Sequence, residues 1–266
     1  MMRIDVDFPK RLVFCIASLS ILAVPSLFAQ QTAPVESDFR MPVQIRSEQE
    51  IPFKTTDFTF VRLQYSCSTQ SRCRRAWLTD YPDADQAFSN QVESLTGLSV
   101  NPDGLILQLT DPALSHYPFA YIVEAGQMSL SDDEASALRD YLLGGGFLMV
   151  DDFWGDYEWG IFADALEKVF PDRTPVELAV DHEIFQSFYY LSEARPVPGR
   201  GGARTGAEPR LMGISDDDGR LMMIICHNHD FGDAWEHLDD PWYPQQHSMG
   251  FAVPMGINIV TYALTH

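Results

Sequence analysis

Two stretches of this chain gather carboxylate and imidazole groups that could act together. Asp151-Asp152 closes the apolar run Phe147-Leu148-Met149-Val150, and Cys226-His227-Asn228-His229-Asp230-Phe231-Gly232-Asp233-Ala234-Trp235-Glu236-His237 follows later. Mixed carboxylate and imidazole donors suit a divalent metal. The metal set expected is Asp151, Asp152, His182 and Asp230, with Glu236 as candidate base toward a metal-activated water. A polyol or other polar ligand would use the same groups. Asp151, Asp152, His182, Asn228, Asp230, Asp233 and Glu236 would then hydrogen-bond, and Trp235, Trp154, Trp159 or Trp242 would offer a stacking face. A third role is structural, with Asp and Asn satisfying loop amides and helix N-termini. Sequence alone leaves all three open.

The element that must deliver Asp151 and Asp152 is well marked. Ser131-Asp132-Asp133-Glu134 fits a capping box. Ala135, Leu138, Leu142 and Leu143 then recur at helical spacing. Gly144 is expected in the left-handed conformation that ends the helix. Phe147 to Val150 reads as a strand covered on both faces. Its C-terminal end is where open α/β sheets bind ligands, so the acidic groups are expected to converge there.

Strand alternation sorts the second stretch. His227 and His229 should share one face, with Asn228 and Asp230 on the other, while Asp233, Glu236 and His237 follow at helical spacing. Cys226 and His227 should face opposite ways, which argues against direct activation of the thiol. Cys226 is expected as a buried structural residue. His182 precedes the apolar pair Ile184-Phe185 and also reads as a hydrogen-bonded strut.

The remaining elements alternate. Strands are expected at Phe58–Leu63, Leu105–Leu109, Phe119–Glu124 and Val176–Val180. A helix should start at Tyr81-Pro82-Asp83 and end near Gly97, and another should be capped by Asp156. Pro196 to Pro209 reads as a mobile surface loop. Leu211–Ser215 and Leu221–Cys226 flank the turn Asp216-Asp217-Asp218-Gly219, a hairpin signal. A buried helix should close the domain from Met249 or Gly250 to Leu264, with Pro254 in its first turn or kinking it. The expected fold class is α/β, a three-layer, mostly parallel sheet with helices on both faces.

The N-terminus points to export. Arg3, Lys10 and Arg11 precede the largely apolar stretch Leu12 to Ala29, the pattern of a signal peptide cleaved after Ala29. An uncleaved membrane anchor is the competing reading. Residues 30–56 read as a tether and 57–266 as the α/β domain, periplasmic or secreted, with the membrane met only through an uncleaved N-terminus. In an oxidising compartment Cys67 and Cys73 should form a local disulfide, contributing about 2 kcal/mol. The chain carries 38 acidic against 18 basic residues, a formal charge of −20. Such a surface repels phosphate backbones and excludes nucleic acid as a partner. An unidentified polar ligand or an envelope protein remains as partner. Exposed apolar surface around Trp242-Tyr243-Pro244 would favour the protein.

Ordered motifs add a resemblance. Phe58-Thr59-Phe60-Val61-Arg62-Leu63, Trp77 with Asp80-Tyr81-Pro82, Tyr117-Pro118-Phe119 and Leu138-Arg139-Asp140-Tyr141-Leu142 are among them. So are Gly145-Gly146-Phe147-Leu148 with Asp151-Asp152-Phe153, His182-Glu183-Ile184-Phe185, Asn228 to Glu236, and Gly256-Ile257-Asn258 with Tyr262. Together they resemble the bacterial domain of unknown function 4159 family over roughly residues 56–266. The resemblance implies a flavodoxin-like sheet similar to class I glutamine amidotransferases, and no established activity. Those enzymes carry a Cys at a Gly-flanked strand-to-helix elbow. The best corresponding strand here ends Asp151-Asp152-Phe153-Trp154-Gly155, without Cys or Ser. The expectation is therefore a non-catalytic ligand-binding or envelope-interaction module, with a metal-dependent hydrolase as the alternative.

Overall fold

Strands and helices alternate over most of the domain, because the central strands Phe119–Val123, Phe147–Phe153 and Leu221–His227 are buried on both faces and need covering. A computed structural model describes residues 57–67, 73–199 and 208–266. The signal segment and tether expected at 1–56 lie outside the described residues. Seven strands form one sheet: β1 (Phe58–Gln64), β2 (Val100–Gln108), β3 (Phe119–Val123), β4 (Phe147–Phe153), β5 (Val176–Glu177), β6 (Arg210–Ser215) and β7 (Leu221–His227). Their spatial order is β2-β1-β3-β4-β7-β6-β5. The first five in that order pair in parallel, and β6 and β5 add an antiparallel edge. The α/β class and mostly parallel sheet are as expected.

Among the described residues, five α-helices cover the sheet: α1 (Asp83–Thr96), α2 (Asp132–Leu143), α3 (Gly155–Val169), α4 (Phe231–Glu236) and α5 (Val253–Thr265). Phe58, Phe60, Phe119, Phe147 and Met149 face a core shared with α1, α4 and α5. Val61, Leu63, Ile122, Leu148 and Val150 face the other core, filled from α2 and α3. α5 follows a π turn at Ser248–Ala252 and carries Pro254 in its first turn, where a missing N–H costs nothing. Residues Ser248–Thr265 are long and apolar enough to cross a membrane, but 67% of that window is buried within the domain.

Local chemistry explains both the agreements and the departures. The capping box at Ser131 and Glu134 forms with both arms in place. The helix stop falls one residue later than expected: Gly144 has φ −77, and Gly145 takes the positive φ of 108. Asp156 is inside the first turn of α3 and is not its cap; Glu158 instead accepts the Trp154 amide at 2.6 Å. β2 starts five residues earlier than expected, because pairing with β1 recruits Val100–Gly104. β5 shrinks to Val176 and Glu177, which pair with Gly213 and Met212 of β6, with one further backbone bond from Leu178 to Leu211. In the expected loop 196–209, residues 200–207 lie outside the described residues, yet Val197 is wholly buried and its carbonyl takes the Asp230 amide.

Candidate functional site

The parallel strands end together, and their ends carry the acidic groups. On β4, Phe147 and Met149 face one core and Leu148 and Val150 the other. A bulge between Val150 and Phe153 breaks this alternation against β7. Phe153 takes the place in the α2/α3 core that strict alternation would give residue 152. Asp152 is thereby re-aimed with φ 49, a left-handed conformation that Asp tolerates better than most residues. Its Oδ1 accepts the Trp154 indole N–H at 2.6 Å.

Asp151 is fully buried. Its Oδ2 accepts the Tyr121 hydroxyl at 2.9 Å and the amides of Phe231 and Gly232 at 2.8 and 3.1 Å, so β3 and the start of α4 both hold it. Its Oδ1 has no hydrogen-bond partner among the described residues. Burial, with the charge of Asp152 alongside, raises its pKa to about 8. Asp230 caps α4 by accepting the Asp233 amide at 2.8 Å. Burial and then the charges of Asp152, Asp233, Asp151 and Asp80 push Asp230 well above the ordinary carboxylate range.

Asp80 joins them from the turn that leads into α1. Its Oδ2 is buried without a hydrogen-bond partner, and burial plus the charges of Glu236, Asp233 and Asp152 raise its pKa to about 8. Asp80, Asp152 and Asp230 each offer an oxygen within 4.8 Å of the others, and Asp233, Glu236 and His237 form a second such trio. Arg62 is the near cation, but its guanidinium is committed to Asp85 and to the Trp77 and Thr79 carbonyls. Two glycines let the backbone close on these oxygens. A Cβ on Gly232 would lie 2.5 Å from Asp80 Oδ2, and one on Gly199 would lie 2.6 Å from Asp230 Oδ2.

A family model described as Domain of unknown function (DUF4159) matches residues 59–264, which is most of the chain. The chain belongs to the DUF4159 family. No curated protein matches it.

Within this DUF4159 domain the expected site divides. Asp151, Asp152, Asp230, Asp233 and Glu236 come together. His182 does not join them. Its ring packs 6.2 Å from Tyr262, whose hydroxyl accepts the Leu221 amide at the N-terminal end of β7, and its Nδ1 accepts the Ile184 amide as an N-cap. It sits at the opposite end of the sheet, as a strut. Trp235 is wholly buried, stacked on Phe88 and donating to the Ala252 carbonyl, so it is core and not a stacking face.

Asn228 ties loops together. Its Oδ1 accepts the Gly155 amide and its Nδ2 donates to the Glu208 carbonyl. Its φ of 61 ends β7 at His227, so the alternation expected for His227 and His229 fails. His227 packs on Phe153 and Trp159, whereas His229 packs on Phe231 across the sheet. Cys226 is a buried free thiol, as expected. Cys67 is disulfide-bonded, while the side chain of Cys73, its expected partner, lies outside the described residues.

Tyr243 is buried and donates to the Pro198 carbonyl, which leaves Trp242, 48% exposed, and Pro244 as the outward residues of that segment. Asp80, Tyr121 and His237 were absent from the expected ligand set. Asp80 lies in the Asp80-Tyr81-Pro82 turn that leads into α1, where nothing in the sequence marks it as a ligand.

Proposed function

We propose that this DUF4159 chain is an exported α/β domain that holds a divalent cation between Asp80, Asp152 and Asp230 at the C-terminal edge of its sheet. One observation carries the reading: three carboxylates converge while oxygens of Asp80 and of the adjoining Asp151 lie buried without hydrogen bonds. Buried like charges are costly to ionise unless an opposite charge joins them. An all-oxygen set favours a hard cation such as Mg2+, Mn2+ or Ca2+.

A flavodoxin-like, amidotransferase-like sheet is part of the same reading. The parallel strands follow the doubly wound order, with β1 and β3 flanking the reversal. The end of β4 gives Asp152 a positive φ close before α3, near the place where elbow hydrolases carry a nucleophile. A carboxylate there supports binding without the amidotransferase nucleophile.

Calorimetric titration of chelator-treated protein with Mn2+ tests the proposal. Saturable binding that disappears in Asp80→Asn/Asp152→Asn supports it, and a wild-type chain that binds none overturns it. Metal-dependent hydrolysis with Glu236 as base is a second reading, favoured by the 18% exposure of the Glu236 side chain at the edge of a buried cluster. Hydrolysis of chromogenic phosphate and carboxylate esters by wild type, lost in Glu236→Gln, would support it; inactivity toward both would count against it.

A further inference from the structure

The three carboxylates placed around the cation are not held alike. Asp152 accepts the Trp154 indole N–H at 2.6 Å, and Asp230 accepts the Asp233 amide at 2.8 Å. Asp80 Oδ2 is buried without a hydrogen-bond partner among the described residues. That oxygen is therefore placed by the backbone that carries it, which at Asp80 takes the left-handed φ of 60.

Arg62 on β1 grips that backbone on both sides. Its Nη1 donates to the Trp77 and Thr79 carbonyls at 3.1 and 2.8 Å, just before Asp80. Its Nε donates to the two Asp85 oxygens at 3.2 and 3.0 Å, in the first turn of α1 just after Asp80. The Asp80 carbonyl accepts the Ala84 amide at 2.9 Å and so joins the turn to the same helix. Arg62 and Asp85 are both buried, so neither can turn to water instead. A planar guanidinium makes these bonds at once, whereas a lysine ammonium is a point donor that cannot span them. The Arg62 guanidinium carbon also lies 5.1 Å from the centre of the Tyr121 ring, and the Tyr121 hydroxyl holds Asp151. One side chain therefore stands behind both carboxylates that have an orphaned oxygen.

We infer that Arg62 is a positioning residue of the cation centre, fixing the Asp80 carboxylate through Thr79 and Asp85 and steadying Tyr121 behind Asp151. This rests on the cation reading of the Asp80, Asp152 and Asp230 cluster. Arg62 touches no cation itself, because its donors are spent on Asp85 and the two carbonyls. Groups that orient ligands from behind change metal affinity by about 10- to 100-fold when lost.

Calorimetric titration of the chelator-treated chain with Mn2+ separates positioning from mere support of the fold. Arg62→Lys keeps the charge and loses the fork. Leu138→Ala, in the α2 core on the other face of the sheet, is the destabilised control. Each protein is titrated at a temperature where circular dichroism shows it folded. Arg62→Lys should bind Mn2+ about tenfold or more weakly than wild type, while Leu138→Ala keeps the wild-type affinity. Wild-type affinity in Arg62→Lys overturns the role, and so does an equal loss in Leu138→Ala. Should Arg62→Lys fail to fold, Asp85→Asn loosens the α1 side alone; weaker binding there supports the role and unchanged binding overturns it. A wild-type chain that binds no Mn2+ overturns the cation reading itself, and Arg62 is then a clamp of the fold only.

Discussion

The Tyr121 hydroxyl donates to Asp151 Oδ2 at 2.9 Å, and the same oxygen takes the first two amides of α4. One buried carboxylate therefore fixes the start of α4 against β3 and β4. Tyr121→Phe removes one of three hydrogen bonds to a fully buried group. The expected loss is about 1–3 kcal/mol, read by urea denaturation. An unchanged midpoint would show that the backbone amides hold Asp151 unaided.

Gly232→Ala should damage the centre without replacing a ligand. The added Cβ would lie 2.5 Å from Asp80 Oδ2 and 3.3 Å from the Tyr121 hydroxyl. Displacing Asp80 should weaken Mn2+ binding about tenfold or more, in line with other changes just outside a ligand set. Equal affinity in calorimetric titration would remove Asp80 from the site.

His182→Ala makes the opposite case. Its side chain caps the turn Glu183–Phe185 and packs beside Tyr262, away from the carboxylates. Stability should fall by roughly 1 kcal/mol, as for a lost helix cap, and Mn2+ affinity should not change. A drop in affinity would return His182 to the ligand set.

The pH profile of the metal-free protein has a defined sign. Asp151 and Asp80 titrate near 8 when folded, against 3.8 ordinarily. Between these values the native state keeps protons that the unfolded chain has released, so stability falls as pH rises. Buried His229, lowered from 6.5 to about 3 by burial and the His227 charge, works the other way, adding stability as pH rises from 3 to 6.5. From pH 6.5 to 8 the carboxyl trend is no longer opposed by His229. Tm of chelator-treated protein should fall across that interval, and less steeply in Asp80→Asn. A flat wild-type profile would mean that these carboxyls are already ionised at pH 6.5.

Much of the frame was legible in the sequence because its signals are local. The capping box at Ser131, the apolar run Phe147–Val150 and the hairpin around Asp216–Gly219 each depend on residues a few positions apart. The pairing of Asp151 with Asp230 was also readable, since both follow apolar strands expected to be parallel. Asp80 reaches the site by tertiary packing, which no spacing in the sequence records. His182 and Trp235 carried suitable chemistry, but their places are set by α5: Tyr262 packs on the first, and the Ala252 carbonyl just before the helix accepts from the second. At Asn228 a single left-handed residue defeated an alternation rule that held from Met223 to Cys226.

Thermal unfolding with and without Mn2+ tests the central claim most directly, in wild type and in Asp80→Asn/Asp152→Asn. At a hundredfold excess over Kd, a cation bound only by the native state adds about 2.7 kcal/mol. In a chain of this size that raises Tm by roughly 5–10 °C. Chelator should reverse the gain, and the double variant should start from a higher metal-free Tm and show no response. An unresponsive wild type, or an equal Mn2+ shift in the variant, would contradict a cation site built from these carboxylates.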